Sequence, residues 1–356
     1  MTAVMVLDDV PGLGVIRGVA AERVPAGFSP LSDEGLELTA RIAHRLREHP
    51  AVLALYPTWR SGEAEALLRF ARASLQTPRL AAVPVDLPPL ALSLVADQLA
   101  FMAPYVKPGV LASLVPRFAE GIVAGAWVNS VTRLEHVRTE FSKHLASYLP
   151  GSEFMVTSAP RAGVHRITDA RPVSAREQVP VPPVLVLAAD HGGDAGWVRD
   201  RLGPALGAAS VTFVDDQPLG TEFWRAKRYV EFVAFSGDSR VLQQLVRRTP
   251  CTPCTWCGEP VGLPACPFCS MIQQRGATRS TAPAPAPAPS SPAPPAHSAP
   301  GPAPSAQVPP VQAPSTEAKP TEAAPPDPAA PVPAPAAPSS PGVRPTAPLP
   351  GVTVQT

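Results

Sequence analysis

All five cysteines of the chain fall within residues 251–269, CTPCTWCGEPVGLPACPFC, and four of them form two C-x-x-C pairs, Cys254 with Cys257 and Cys266 with Cys269. Two such pairs on a short spacer can hook one Zn²⁺ from two tight turns, four thiolates lying about 2.3 Å from the metal at the corners of a tetrahedron. So short a segment builds no core of its own, and bound metal then supplies most of its folding energy. Gly258, directly after the first pair, suits the left-handed backbone that such a hook tends to need. Cys251 stands three residues before the first hook and leaves a second register open, in which it replaces Cys254 or Cys257. Zn²⁺ is the expected cofactor.

These residues resemble the short zinc-ribbon family, whose pattern is C-x-x-C-G, a brief spacer, then C-P-x-C-G. Cys254, Cys257 and Gly258 match the first half, and Cys266, Pro267 and Cys269 the second; Ser270 stands where the family has Gly. The resemblance implies that Cys254, Cys257, Cys266 and Cys269 are the metal ligands. It covers residues 254–269 alone.

Elsewhere the composition sets limits. A formal net charge of +1 gives no overall field that would draw in a nucleic acid or an acidic partner. The apolar region from Leu87 to Val131 is interrupted by Asp97, Lys107, Arg117 and Glu120, so no piece reaches the ~18 uncharged apolar residues of a membrane span. The first residues, MTAVMVLDDVPG, lack the basic region, apolar run and cleavage site of a secretory leader. A cytoplasmic location without membrane insertion is expected. Most of the excess in the chain's 50 prolines lies toward the C-terminus, where Ala-Pro runs offer nothing to bury. Residues 275–356 are therefore expected to be a disordered, extended tail.

Residues 1–250 carry an α/β rhythm. A short strand is read at Val4 to Leu7, and a helix from Asp33 to Arg47 capped by Ser32. AVLALYP, 51–57, then a loop and helix in TWRSGEAEALLRFARASL, then RLAAVPVD ending at Asp86, read as a βαβ unit. Residues 88–149 read as helical with breaks at Pro104, Pro108 and Pro116, the last helix running from Leu134 to Leu149. EFMVTSAP, 153–160, is a strand and 161–182 a connection; VLVLAAD, AGWVRDRLGPAL, VTFVDD, YVEFVAFS and SRVLQQLVRR then give strand, helix, strand, strand and helix. The expectation is a three-layer α/β domain with a mostly parallel sheet over 1–250, a zinc ribbon at 251–274 and the tail beyond.

Three loops at strand ends hold groups able to do chemistry: Asp190, His191 and Asp194 in DHGGD, Asp215 with Asp216, and Thr58 to Gly62. Acids and glycines in such turns are equally ordinary caps and turn formers. Two functions are weighed. In the favoured one the α/β domain is a scaffold presenting the four-cysteine ribbon to a protein partner or a nucleic-acid backbone. Trp256 and Phe268 are then exposed aromatic contacts, with Arg247 and Arg248 as basic ones. In the alternative, Asp190, His191, Asp194 and Asp215 serve an enzyme acting on a phosphorylated or nucleotide-like substrate, and the ribbon is a staple. The sequence holds no G-x-S-x-G, G-x-x-x-x-G-K-[ST] or H-E-x-x-H motif.

Overall fold

The charge-free runs AVMVL, VLALYP and LAAVPV form β1 (Ala3–Leu7), β3 (Val52–Pro57) and β4 (Leu80–Val85) of a parallel sheet, with β2 (Glu22–Val24) completing the order β2-β1-β3-β4. The computed structural model describes residues 1–16, 18–25, 29–137, 152–168 and 179–273. All of these lie in one compact unit, Met1–Ala284. Every residue of β3 is buried, as a continuous apolar run in a parallel sheet requires. One face of the sheet is covered by α1 (Asp33–Glu48) and α2 (Ser61–Ser74), which pack Leu38, Ile42, Leu67 and Leu68 on Met5, Val52 and Ala54. Ser32 caps α1 as expected, its side chain accepting from the Gly35 amide.

The other face packs on α3 (Pro89–Met102) and α4 (Pro108–Glu120). Beyond α3 lies a second sheet of six strands in the order β7-β6-β5-β10-β8-β9. Its members are β5 (Val123–Val128), β6 (Phe154–Ala159), β7 (Gly163–Arg166), β8 (Val184–His191), β9 (Ala208–Val214) and β10 (Tyr229–Ser236). In this second sheet β8 and β9 pair parallel and the other neighbours antiparallel. The α/β class and a parallel sheet are as expected, but the remaining strands form a sheet of their own. The chain continues through a helical stretch α5 (195–205), with π-type bonding over Val198–Leu202, then α6 (Gly220–Trp224) and α7 (Ser239–Arg248).

β5 corrects the expected all-helical reading of 88–149. VAGAWV is buried along its whole length between β6 and β10, so it shows no polar alternation that would mark a strand. Gly125 is needed there, because a Cβ would fall on the Val156 carbonyl of β6. β7 occupies part of the expected connection 161–182. Most of the expected Leu134–Leu149 helix and the whole of 275–356 lie outside the described residues. Among the described residues no helix is long and apolar enough to cross a membrane.

The helix α3 is buried along nearly its whole length between the two sheets; Asp97 and the Leu90 amide are answered from one sheet each, while Gln98 Oε1 has no hydrogen-bond partner among the described residues. Asp97 accepts from the Ala21 amide at 3.0 Å and pairs with the Arg23 guanidinium at 2.8 Å. At the start of the helix the Leu90 amide donates to Glu231 Oε1 of β10 at 2.8 Å. Glu231 is fully buried and its second oxygen has no hydrogen-bond partner of good geometry among the described residues. Burial pushes its carboxyl up to about 8, against the opposing pull of the Leu90 amide and then the Trp224 indole. The folded protein then keeps a proton that the unfolded chain gives up above the ordinary value of 4.5, so stability falls as pH rises between these two values. Urea midpoints of the wild type should drop between pH 5 and pH 8 by an amount absent from Glu231→Gln, which stays neutral throughout.

Candidate metal centre and adjoining cavity

The two C-x-x-C pairs fold into the same turn twice. The Gly258 amide donates to the Cys254 carbonyl at 2.9 Å, and the Ser270 amide to the Cys266 carbonyl at 2.8 Å. Both turns end in the left-handed region, at φ 75° for Gly258 and 63° for Ser270. The sulfurs of Cys254 and Cys269 are 3.6 Å apart, as are those of Cys257 and Cys266, and all four lie within 4.8 Å of one another. A tetrahedral ion with metal–sulfur bonds of about 2.3 Å needs sulfurs about 3.8 Å apart, so the set fits such an ion. Cys251 is outside the cluster, against Ser113 of α4. Backbone amides of Cys257 and then Trp256 pull the Cys254 thiol down, while burial pushes the Cys266 thiol up. A cation at the centre would favour the thiolate at every position.

The segment 251–273 does not stand free of the α/β domain. Cys254, Val261, Cys266 and Phe268 are buried in the same core as α3 and α4. The Gly109 amide of α4 donates to Glu259 Oε1 at 2.8 Å, and the Gly262 amide to Ser113 Oγ at 2.7 Å. Gly109 permits this contact, since a Cβ there would collide with the Pro260 carbonyl. In the second hook, the Pro267 carbonyl accepts from the Ala82 amide of edge strand β4 at 3.1 Å and from Arg72 Nη2 of α2 at 2.9 Å. Of the two expected aromatic contacts, Phe268 is 4% exposed and fills the core, whereas Trp256 is 75% exposed. Arg247 and Arg248 are exposed at the end of α7.

Between α2, β4, α4 and the second hook lies a cavity of about 730 Å³. Its walls include Leu68, Val83, Val115, Ala119, Leu263 and Ala265. Arg72 reaches into this apolar setting from one turn beyond Leu68. Its Nη2 is held by the Leu80 and Pro267 carbonyls, each at 2.9 Å, and its Nε is buried with no hydrogen-bond partner among the described residues. Burial lowers the guanidinium's proton affinity, opposed by the Cys266 and Cys269 sulfurs. Also in the lining, Arg69 and Glu65 of α2 pair at 3.5 Å. Tyr56 donates to Glu65 at 3.4 Å, and burial lifts the phenol to about 12. Among many arginines Arg72 does not stand out in the sequence; the one signal is its place at i+4 from Leu68, beside the apolar stripe of α2.

The acidic loops do structural work. Asp190 accepts from the Gly193 amide at 2.8 Å and Asp194 caps α5 by accepting from the Trp197 amide at 2.9 Å. His191 Nδ1 lies 2.6 Å from Asp216 Oδ2, and the imidazole stacks on Tyr229. Asp215 is exposed and its carbonyl accepts from the Gln217 side chain. At the third loop Thr58 donates to Asp86 at 3.0 Å, and Arg60 is taken by Asp8 at 2.6 Å and Glu222 at 3.5 Å. Among the described residues, the four cysteines alone form a group of three or more side chains able to share a metal.

No family model matches the sequence, and no curated protein matches it. Solved structures do resemble the fold. A DegV family protein from Thermus thermophilus, described for its fatty-acid binding, superposes with a TM-score of 0.50 at 12% identity over 66% of this chain and 99% of its own. One from Corynebacterium glutamicum gives 0.48 at 15% identity, covering 67% and 97%. Another, from Eubacterium eligens and loaded with heptadecanoic acid, gives 0.47 at 12% identity, covering 66% and 100%. At these identities the correspondence is one of fold.

The adaptor expectation is thereby corrected, together with the nucleotide-type enzyme set beside it. The fold is shared with a protein described as binding fatty acids, and the four-cysteine segment is built into the domain rather than displayed from it. Ser270 pays for its left-handed turn about 1 kcal/mol that a glycine does not. Ser270→Gly should therefore raise the thermal midpoint by a few degrees, measured with metal bound. In native mass spectra, Cys251→Ser should keep one metal ion per chain and Cys266→Ser should lose it.

Proposed function

We propose that the protein binds a fatty acid or similar long-chain carboxylic acid in the cavity beside the second hook. The observation that carries this reading is the half-buried Arg72 guanidinium in the lining of an otherwise largely apolar cavity. A volume of about 730 Å³ falls in the range of small-molecule sites, which are mostly apolar with a few placed polar groups. A carboxylate meeting the Arg72 guanidinium would gain a charge-assisted hydrogen bond of roughly 1.5–3 kcal/mol. Each buried methylene would add about 0.8 kcal/mol, before the cost of association is subtracted. The fold shared with the Thermus thermophilus fatty-acid-binding protein supports the same class of ligand.

Cys254, Cys257, Cys266 and Cys269 are read as a zinc ribbon. An all-thiolate set with tetrahedral spacing suits Zn²⁺, and four protein ligands leave no position open for a substrate, so the metal is structural. Bound there, Zn²⁺ holds the two hooks together.

Binding of palmitate and of the corresponding alcohol to delipidated protein tests the reading. Arg72→Gln should weaken palmitate about tenfold or more and leave the alcohol almost unchanged. Ala119→Trp, which fills the cavity, should abolish both. Wild-type palmitate affinity in Ala119→Trp would place the ligand elsewhere.

A further inference from the structure

We infer that the metal site and the cavity are thermodynamically linked: Zn²⁺ on the four cysteines tightens the cavity ligand, and the ligand in turn tightens Zn²⁺. The inference rests on the cavity reading above and adds to it a mode of regulation.

The second hook belongs to both sites. Cys266 and Cys269 supply half of the sulfur cluster, while Pro264, Ala265, Cys266, Pro267 and Ser270 line the cavity. Between the two cysteines, the Pro267 carbonyl is the point at which the hook is tied to the opposite wall. It accepts from Ala82 of β4 and from Arg72, the residue assigned to the ligand's head group. Arg72 is thus held by the cysteine turn through its Nη2 while its guanidinium lines the cavity.

Beyond its bonds to α4, β4 and Arg72 and its side chains in the core, the wall has little structure of its own. Its strands are the two-residue β11 (Thr252–Pro253) and β12 (Pro260–Val261), and a segment of this size depends on its metal for folding. With the metal gone, the hook loses its cross-link, the cavity loses one side and Arg72 loses a partner that orients it. A ligand seated between α2, α4 and the hook presses the same turn into place from within. Such coupling is reciprocal by necessity and typically amounts to a factor of about 5–150.

The experiment measures palmitate affinity of the full chain loaded with Zn²⁺ and stripped by a chelator, with amide exchange followed at Ala82, Gly109 and Gly262. Stripping should weaken palmitate at least about fivefold and speed exchange at all three amides. Zinc affinity, read from equilibrium competition with a chromophoric chelator, should be tighter by the same factor when palmitate is present. This second reading uses the folded, metal-loaded protein and holds even where the stripped chain unfolds. Gly109→Val, which pushes the segment from α4 but keeps all four cysteines, should retain one Zn²⁺ and still bind palmitate more weakly.

Equal palmitate affinity with and without metal, or equal zinc affinity with and without palmitate, overturns the linkage and leaves the cavity reading standing. Failure of the zinc-loaded protein to bind palmitate overturns the cavity reading, and the linkage with it.

Discussion

A helix with no solvent-facing side holds this fold together. α3 fills the space between the two sheets, and burying it on every side supplies much of the core's apolar contact. The same burial makes each of its polar groups expensive unless answered. Asp97 is answered by Arg23 and the Ala21 amide from the β2 region, and the Leu90 amide by Glu231 from β10. These contacts tie α3 to elements distant in sequence, so the two sheets close around it in one arrangement.

What α3 and α4 leave uncovered is the β4 edge of the parallel sheet. An open edge presents unpaired amides and carbonyls, and proteins usually cover or blunt it. Here the second cysteine hook covers part of it, through the Ala82 amide and the Pro267 carbonyl. The cysteine turn thus takes the place of a further strand. Such a turn is too small to pack flush against α2 and α4, and the gap left behind is the cavity in which Arg72 lies. Metal site, sheet edge and cavity are consequences of one packing arrangement.

Much of this was legible in the sequence where the governing physics is local. Ser32 caps α1 through a bond to Gly35, three residues on, and the βαβ unit from Val52 to Val85 follows from apolar runs separated by an amphipathic helix. The roles of Asp190 and Asp194 as turn and cap residues were equally visible, since each bonds an amide three residues away. VAGAWV was not legible as a strand. It is buried on both faces, and a short continuous apolar run shows the same lack of pattern in a buried helix or a buried strand. Phe268 and Trp256 occupy equivalent places in their hooks, yet one is buried and the other exposed. That difference lies in the elements opposite them, at the other end of the chain.

By itself the sequence determined the four-cysteine cluster and the α/β class. Ligand spacing within a turn and hydrophobic periodicity within an element are set by residues a few positions apart. Tertiary structure alone decided that the strands divide into two sheets around α3 and that the cysteine segment is a wall rather than a platform. It alone brought Arg72 of α2 to Pro267, some two hundred residues away. No local rule encodes a contact of that separation. It arises from how a buried helix, an edge strand and a metal-sized turn can be packed together, and the cavity exists only once all three are in place.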